Sequence, residues 1–291
     1  MDGGPMTEAR VLPRMPAAEY HADPCAVPSL SASCAKKLLA ESPLHAWLSH
    51  PKLGGQRSAP TEAMRRGSLL HALILEDGAG VVKIDADSYR TAAAKAQRDA
   101  AEARGEVPVL AGEYADALAV ADSVRGQLAR MGVRLDGESE VGIEWREEST
   151  SGPVTCRARM DHVWLARGVV LDLKTCDSAN PAGLGKRCYN LGYDVQRAAY
   201  VSALRKLRPG AEPRFIFMFV EELPSGAPQR AIVQPVELDA DFCTVGEKRW
   251  RRAVETWAAC LESGVWPAYG EAGTVVDVSA PRWAMVAEGL V

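Results

Sequence analysis

Residues 154–175 constrain the fold more than any other stretch. They read VTCRARMDHVWLARGVVLDLKT, two apolar, β-branched segments around Ala166-Arg167-Gly168. This predicts two strands, Val154–Leu165 and Val169–Lys174, joined by a tight turn into a hairpin. Side chains alternate along a strand, so Asp172 and Lys174 share a face. A two-residue turn at Ala166-Arg167 puts Asp161 opposite Asp172, and one at Arg167-Gly168 puts it opposite Lys174. Either register gathers all three groups on one face, whereas a three-residue loop without a bulge would send Asp161 to the other.

Two carboxylates opposite each other stand about 5 Å apart and repel. A divalent cation removes that conflict. Hard oxygen donors suit Mg²⁺, with positions left for water and a phosphate oxygen. A neighbouring lysine stabilises charge on the phosphate or orients the attacking water. The ensemble fits metal-assisted phosphodiester hydrolysis. A D-x-K pattern on a solvent-facing strand is also an ordinary charge pairing, so other residues must bear the reading out.

Three features do so. The segment Arg65-Arg66-Gly67-Ser68-Leu69-Leu70-His71 sets a histidine among leucines, with Gly67 on its face to admit a backbone or ligand. Gln196 and Tyr200 form an i, i+4 pair able to hydrogen-bond a phosphate or order a metal-bound water. Upstream, Glu140 and Glu144 offer one further ligand, while Glu147 and Glu148 read as solvated strand surface.

The remaining sequence supplies a frame. At 291 residues the chain allows one large domain or two small ones, and 47% apolar with 25% charged residues is globular composition. The net charge of −4 excludes a generally basic nucleic-acid binder, so any positive surface must be local. No apolar run approaches the 20 or so residues of a membrane span. MDGGPMTEAR lacks a basic start before an apolar stretch, so secretion is not expected and a cytoplasmic location is. Seven scattered cysteines without a CxxC pair predict thiols, not a disulfide framework or a zinc or iron–sulfur set.

Residues 1–18, punctuated by Gly and Pro, read as a flexible lead-in. Helices are predicted at Ser31–Glu41 with Ser31 as N-cap, Thr61–Glu76, 88–104 and 112–131, with 51–60 as loop. Strands follow at Val141–Arg146, in the hairpin, and at Phe215–Glu221 and Ala231–Leu238. A helix over Lys186–Lys206 precedes the last two strands, and a long one carrying Trp250 and Trp257 follows them. The tail after Gly264 is uninformative. This order predicts an α/β fold: a mixed sheet with an antiparallel start, a crossover helix and flanking helices, elaborated by N-terminal helices. One domain over 19–264 is expected, helical over about 19–136 and catalytic over about 137–264, with 265–291 as a tail.

These residues together resemble the RecE-type exonuclease VIII branch of the PD-(D/E)xK (RecB-like) nuclease superfamily, over about residues 20–262. The resemblance runs through Tyr20-His21, the Ser29-Leu30-Ser31-Ala32-Ser33 opening before Ser42-Pro43, and Gly67 to Glu76 (G-x-x-x-H-x-x-x-L-E). It continues in Arg157-Ala158-Arg159-Met160-Asp161 (R-x-R-x-D), Asp172-Leu173-Lys174-Thr175 (D-x-K-T) and Tyr193 to Tyr200 (Y-x-x-Q-x-A-x-Y). It implies a restriction-endonuclease-like core and a Mg²⁺-dependent deoxyribonuclease, with Mn²⁺ able to substitute. Such an enzyme degrades linear duplex DNA from its ends, 5′ to 3′, exposing single strands for recombination. Asp161, Asp172, His71 and Glu140, preferred to Glu144, would hold metal. Lys174 would be the catalytic lysine, with Gln196 and Tyr200 supporting the site. Family members are often encoded by phages or prophages beside a single-strand annealing protein and form rings, so a homo-oligomer is expected. Arg65, Arg66, Arg157, Arg159, Lys186 and Arg187 are the expected DNA contacts. The Lys248-Arg249-Arg251-Arg252 cluster reads first as a solvated helix face. A restriction- or repair-type endonuclease, a catalytically silent DNA-end-binding module and a hydrolase of a small phosphoester are the alternatives. The cysteine spacing does not fit the iron–sulfur RecB-like nucleases of CRISPR systems.

Overall fold

The computed structural model describes residues 8–56, 60–270 and 274–290. Parts of the expected lead-in (1–7), of the 51–60 loop (57–59) and of the tail (271–273, 291) lie outside the described residues.

The N-terminal half is built from β1 (Ala9–Val11), α1 (Ala17–His21), β2 (Leu30–Ser31), α2 (Ala32–Ala40), α3 (Pro43–Ser49), α4 (Glu62–Leu75), β3 (Val81–Ile84), α5 (Ala92–Ala103), β4 (Val107–Leu110) and α6 (Ala111–Arg130). Local chemistry sets the boundaries. Ser31 Oγ accepts from the Cys34 amide at 3.2 Å and Thr61 Oγ1 from the Met64 amide at 3.2 Å, the N-caps that begin α2 and α4. The second half holds β5 (Glu138–Glu147), β6 (Val154–Trp164), β7 (Val169–Cys176), α7 (Pro181–Asn190), α8 (Tyr193–Leu207), β8 (Arg214–Glu222), β9 (Ala231–Val236), α9 (Ala240–Ser263) and α10 (Arg282–Ala287).

The main sheet runs β1-β5-β6-β7-β8-β9, with β2 also beside β6. β5, β6 and β7 pair antiparallel, β7 and β8 parallel through the α7–α8 crossover, and β8 and β9 antiparallel. The mixed α/β layout read from the sequence is therefore the fold. Helices cover both faces. Val195, Ala199 and Leu204 of α8 and Trp250 and Trp257 of α9 pack with Ile143, Trp145, Phe217 and Phe219. Leu70, Leu73 and Ile74 of α4 and Val120, Val124 and Leu128 of α6 pack with Leu171, Leu173, Met218 and Val220. The N-terminal helices thus share a core with the sheet.

Several elements depart from the sequence reading. Residues 9–11 form an edge strand on β5, held by Arg10 Nη2 against Glu144 Oε2 at 2.6 Å. The single helix expected over Lys186–Lys206 is two, because Gly192 takes φ 64 between them. The parallel pair β3–β4 has too few residues per strand to show a periodicity. Glu147 is not solvated surface: it accepts from the Trp145 and Trp250 indoles at 2.9 and 3.1 Å. The tail begins docked, with the Trp266 ring 5.1 Å from that of Trp257. Among the described residues no helix is long and apolar enough to cross a membrane.

A buried charged knot ties the N-terminal segment to β6. Asp23 accepts from the Ser29 amide (2.9 Å) and hydroxyl (2.7 Å), and lies 3.3 Å from His50 Nε2 and 3.2 Å from Arg157 Nη1. Arg157 also donates to the Ser29 carbonyl at 2.9 Å. Burial opposes ionisation of Asp23, but His50, Arg157 and Ser29 outweigh it and hold the carboxyl far below its usual range. Asp23→Asn keeps the shape and tolerates the φ of 66 while leaving Arg157 buried without its anion. Removing one partner of such a pair costs about 3 kcal/mol. Denaturant unfolding should show that loss at neutral pH, and unchanged stability would contradict the assignment.

Candidate active site

The site forms where the sheet's hydrogen-bond ladder lapses. β6 and β7 pair through Trp164↔Val169, Val163↔Val170 and His162↔Leu171. The next pair in that register would be Asp161 with Asp172. It does not form; Asp161 Oδ2 instead accepts from the Leu173 amide at 2.8 Å. Farther along, β2 takes the freed edge of β6 at Cys156 and Arg157. On the other side, β5 and β6 pair at Ser139↔His162 and Val141↔Met160 and skip Glu140 opposite Asp161. Glu140 has φ 58, a left-handed backbone that glutamate adopts at a cost. Glu140, Asp161 and Asp172 therefore stand at one level across three adjacent strands. The register is the one that follows from Ala166-Arg167 as the turn, although Leu165–Arg167 form a 3-10 turn closed by Gly168 at φ 65.

The three carboxylates differ in surroundings. Asp161 meets His71 Nδ1 at 3.5 Å. His71 Nε2 lies 3.0 Å from the Leu173 carbonyl, which can only accept, so Nε2 carries a proton. In the neutral ring this leaves the Nδ1 lone pair directed at the carboxylate. His71, Glu140 and Asp161 can each offer a ligand atom such that all lie within 4.8 Å of one another. Asp172 does not join that group. It is fully buried, ion-paired to Lys174, and accepts from Gln196 Nε2 at 2.6 Å. Its Oδ1 has the ammonium as charge partner but no well-aligned hydrogen bond. The expectation of one shared face therefore holds for Asp172 and Lys174, while the Asp161 carboxylate reaches across the end of the ladder toward α4. Glu144 is bound to Arg10 on β1, away from this group.

Burial pushes the Glu140 carboxyl up to about 7; Arg159 opposes the shift and Asp161 and Glu76 add to it. Burial and the Asp161 charge push Asp172 up to about 6, against Lys174. Burial alone would lower Lys174, but Asp172 and Asp161 outweigh it and raise its pKa. Lys174 is an ammonium at neutral pH, a donor and not a base.

Glu140, Asp161, His71, Arg159 and Tyr200 line a cleft of about 670 Å³. Tyr200 donates to the Arg159 carbonyl at 2.9 Å, bracing the β6 backbone. A Cβ at Gly67 would meet Thr175 Oγ1 at 3.5 Å, so the bare face of α4 lies against β7. The candidate basic contacts fare differently. Arg157 is spent in the buried knot described above. Arg159 Nε pairs with Glu140 Oε2 at 2.6 Å, inside the cleft. Arg66 is held by Glu222 (2.5 Å) and Asp116 (2.8 Å). Arg65 and Lys186 are exposed, and Arg187 is half-buried, 3.8 Å from Asp177. In the α9 cluster, Arg249 binds Asp194 at 2.8 Å. Tyr193 was not singled out from sequence. Its ring centroid lies 5.1 Å from Lys174 Nζ, and its place at the head of the Tyr193-to-Tyr200 motif was the available signal.

The residues fit a divalent cation. The donors are hard oxygens and one imidazole, offered within 4.8 Å of one another, with His71 Nδ1 3.5 Å from an Asp161 oxygen.

Without a cation, ionising Glu140 opposes folding. Its pKa is raised in the folded state, so the cost is absent below the ordinary carboxylate value and grows as pH rises toward 7 and above. A shift from 4.5 to about 7 corresponds to about 2–3 kcal/mol, allowing for partial exposure. In EDTA, Glu140→Gln should match the wild type at pH 4.5 and be the more stable protein at pH 8. A stability difference independent of pH would contradict this.

The model of a family described as "PDDEXK-like domain of unknown function (DUF3799)" matches residues 31–277. A search of curated proteins finds no match. Among solved structures, the chain is similar to a Eubacterium rectale protein named "Putative exonuclease". The TM-score is 0.59 at 13% identity, over 94% of this chain and 98% of that one. It is also similar to a phage related exonuclease from Haemophilus somnus 129PT, with a TM-score of 0.34 at 13% identity, over 81% and 96% of the two chains. The likeness to the Eubacterium rectale protein is one of fold. Because the family model spans most of the sequence, with Glu140, Asp161 and Asp172 inside the matched range, the protein belongs to the PDDEXK-like domain family DUF3799.

Proposed function

We propose that this protein is a Mg²⁺-dependent exodeoxyribonuclease of RecE type, degrading linear duplex DNA from its ends, 5′ to 3′. The observation that carries the reading is the meeting of His71, Glu140 and Asp161 beside the Asp172–Lys174 pair in a PDDEXK-like fold. A homo-oligomer, a single-strand annealing partner and a cytoplasmic, phage- or prophage-linked role in recombination belong to the same reading.

His71, Glu140 and Asp161 would hold the cation, with Asp172 next to them once Lys174 turns toward substrate. A bound Mg²⁺ would supply Lewis-acid stabilisation of the phosphate and an acidified water. The protein's own groups do the remainder. Lys174, protonated, donates to a phosphate oxygen or to the attacking water and stabilises charge as it develops. Gln196 fixes the Asp172 carboxylate, and the Tyr200 hydroxyl fixes the strand that carries Asp161. Arg159, which holds Glu140 and lines the cleft, would be available to a phosphate oxygen if Glu140 held a cation.

Linear and circular duplex incubated with Mg²⁺, with EDTA as control, test the proposal. Loss of linear DNA with survival of circles is expected. Nicked circles would replace it with the endonuclease reading, and binding without loss with the DNA-end-binding module. Cleavage unaffected by the absence of ends, including of small phosphoesters, would remove the exonuclease. Asp172→Asn and Lys174→Ala should each lower the rate by at least about a hundredfold while cooperative unfolding persists. Full activity in either variant would contradict the assigned roles.

A further inference from the structure

Lys36, on α2, is a second lysine beside the site. Its stem lies over Gly192: a Cβ there would stand 2.7 Å from both Cγ and Cδ of Lys36, so glycine serves both the left-handed turn and the passage of the lysine. Its Nζ lies 5.4 Å from the centroid of Tyr193, the same ring that carries Lys174 Nζ at 5.1 Å. One aromatic ring thus holds two ammonium groups. The anions that could neutralise Lys36 are engaged elsewhere. Asp172 is paired with Lys174, and Asp194 is paired with Arg249. Among the described residues Lys36 has no ion pair.

Half-burying a cation without a counter-charge, next to another cation, costs free energy. Burial and the Lys174 charge accordingly pull the Lys36 pKa down to about 8, against Asp172 and Asp194. A group held this way is complementary to an arriving anion. Ser33, one helical turn before Lys36 on α2, lines the cleft that Asp161 and Glu140 also line. A nucleic-acid strand crossing that cleft carries one phosphate per nucleotide.

We infer that Lys36 binds a backbone phosphate adjacent to the scissile one, so that Tyr193 spaces two lysines for two successive phosphates. This rests on the nuclease reading and assigns Lys36 to holding the substrate, not to bond cleavage.

Steady-state kinetics on end-labelled linear duplex with Mg²⁺, and binding to the same duplex with Ca²⁺ across a salt series, test the inference. The proteins compared are wild type, Lys36→Met, which keeps the stem, and Lys36→Arg, which keeps the charge. Lys36→Met should raise KM about tenfold, lower kcat less than threefold, and flatten the log–log salt dependence of binding by about one unit. Lys36→Arg should restore the slope and most of the affinity. A Lys36→Met protein with wild-type KM and salt slope overturns the inference, as does one that loses kcat with KM and slope intact. In either case wild-type cleavage would leave the nuclease reading standing. A wild type that neither binds nor cleaves duplex removes both.

Discussion

Three carboxylates at one level across β5, β6 and β7 repel one another, and much of the site can be read as the answer to that repulsion. The strands cannot pair normally there. Glu140 adopts a left-handed backbone, Asp161 bonds to the Leu173 amide in place of a ladder pair with Asp172, and Asp172 is sealed under Lys174 and Gln196. Cations from the protein supply the first compensation: Lys174 for Asp172 and Arg159 for Glu140. Asp161 and the His71 Nδ1 are left facing each other at 3.5 Å, a contact that a bound cation would satisfy.

The frame keeps this costly arrangement in place. α4 brings His71 to the end of β7 and binds it through the Leu173 carbonyl, which also sets the ring proton. α8 brings Gln196, Tyr200 and Tyr193 from the opposite face of the sheet. The Asp23–Ser29–Arg157 knot anchors the segment from which α2 departs, and α2 delivers Ser33 to the cleft and Lys36 to the Tyr193 ring. Site and scaffold are thus coupled through β6, whose Arg157, Arg159 and Asp161 meet the knot, Glu140 and His71 in turn.

The fold was legible where periodicity is long and chemistry is local. The capped helices, the hairpin and the antiparallel-then-crossover order all follow from patterns of ten or more residues. The short elements were not, since two to four residues of β1, β2 or β3 hold no period, and Gly192 gave no warning that it would split a helix. Within the site, D-x-K and the i, i+4 Gln–Tyr pair could be read because their spacing is fixed by strand and helix geometry. The preference for Glu140 over Glu144 rests on the resemblance alone, because what occupies Glu144 is Arg10, arriving from a distant edge strand. Arg157 was misleading for the same reason. Its basic character suggested a phosphate, while its partner, Asp23, lies far away in sequence. Lys36 carries no motif beyond the family opening, and only the packing of α2 on the Gly192 turn brings it to the site.

The claim on which the account stands is that His71, Glu140 and Asp161 form one cation site. Calorimetric titration of Mn²⁺ into the wild type and into Asp161→Asn measures it without DNA or turnover. The account predicts saturable binding by the wild type, weakened at least about tenfold by Asp161→Asn. Equal affinity in the two proteins, or no binding by the wild type, would contradict it.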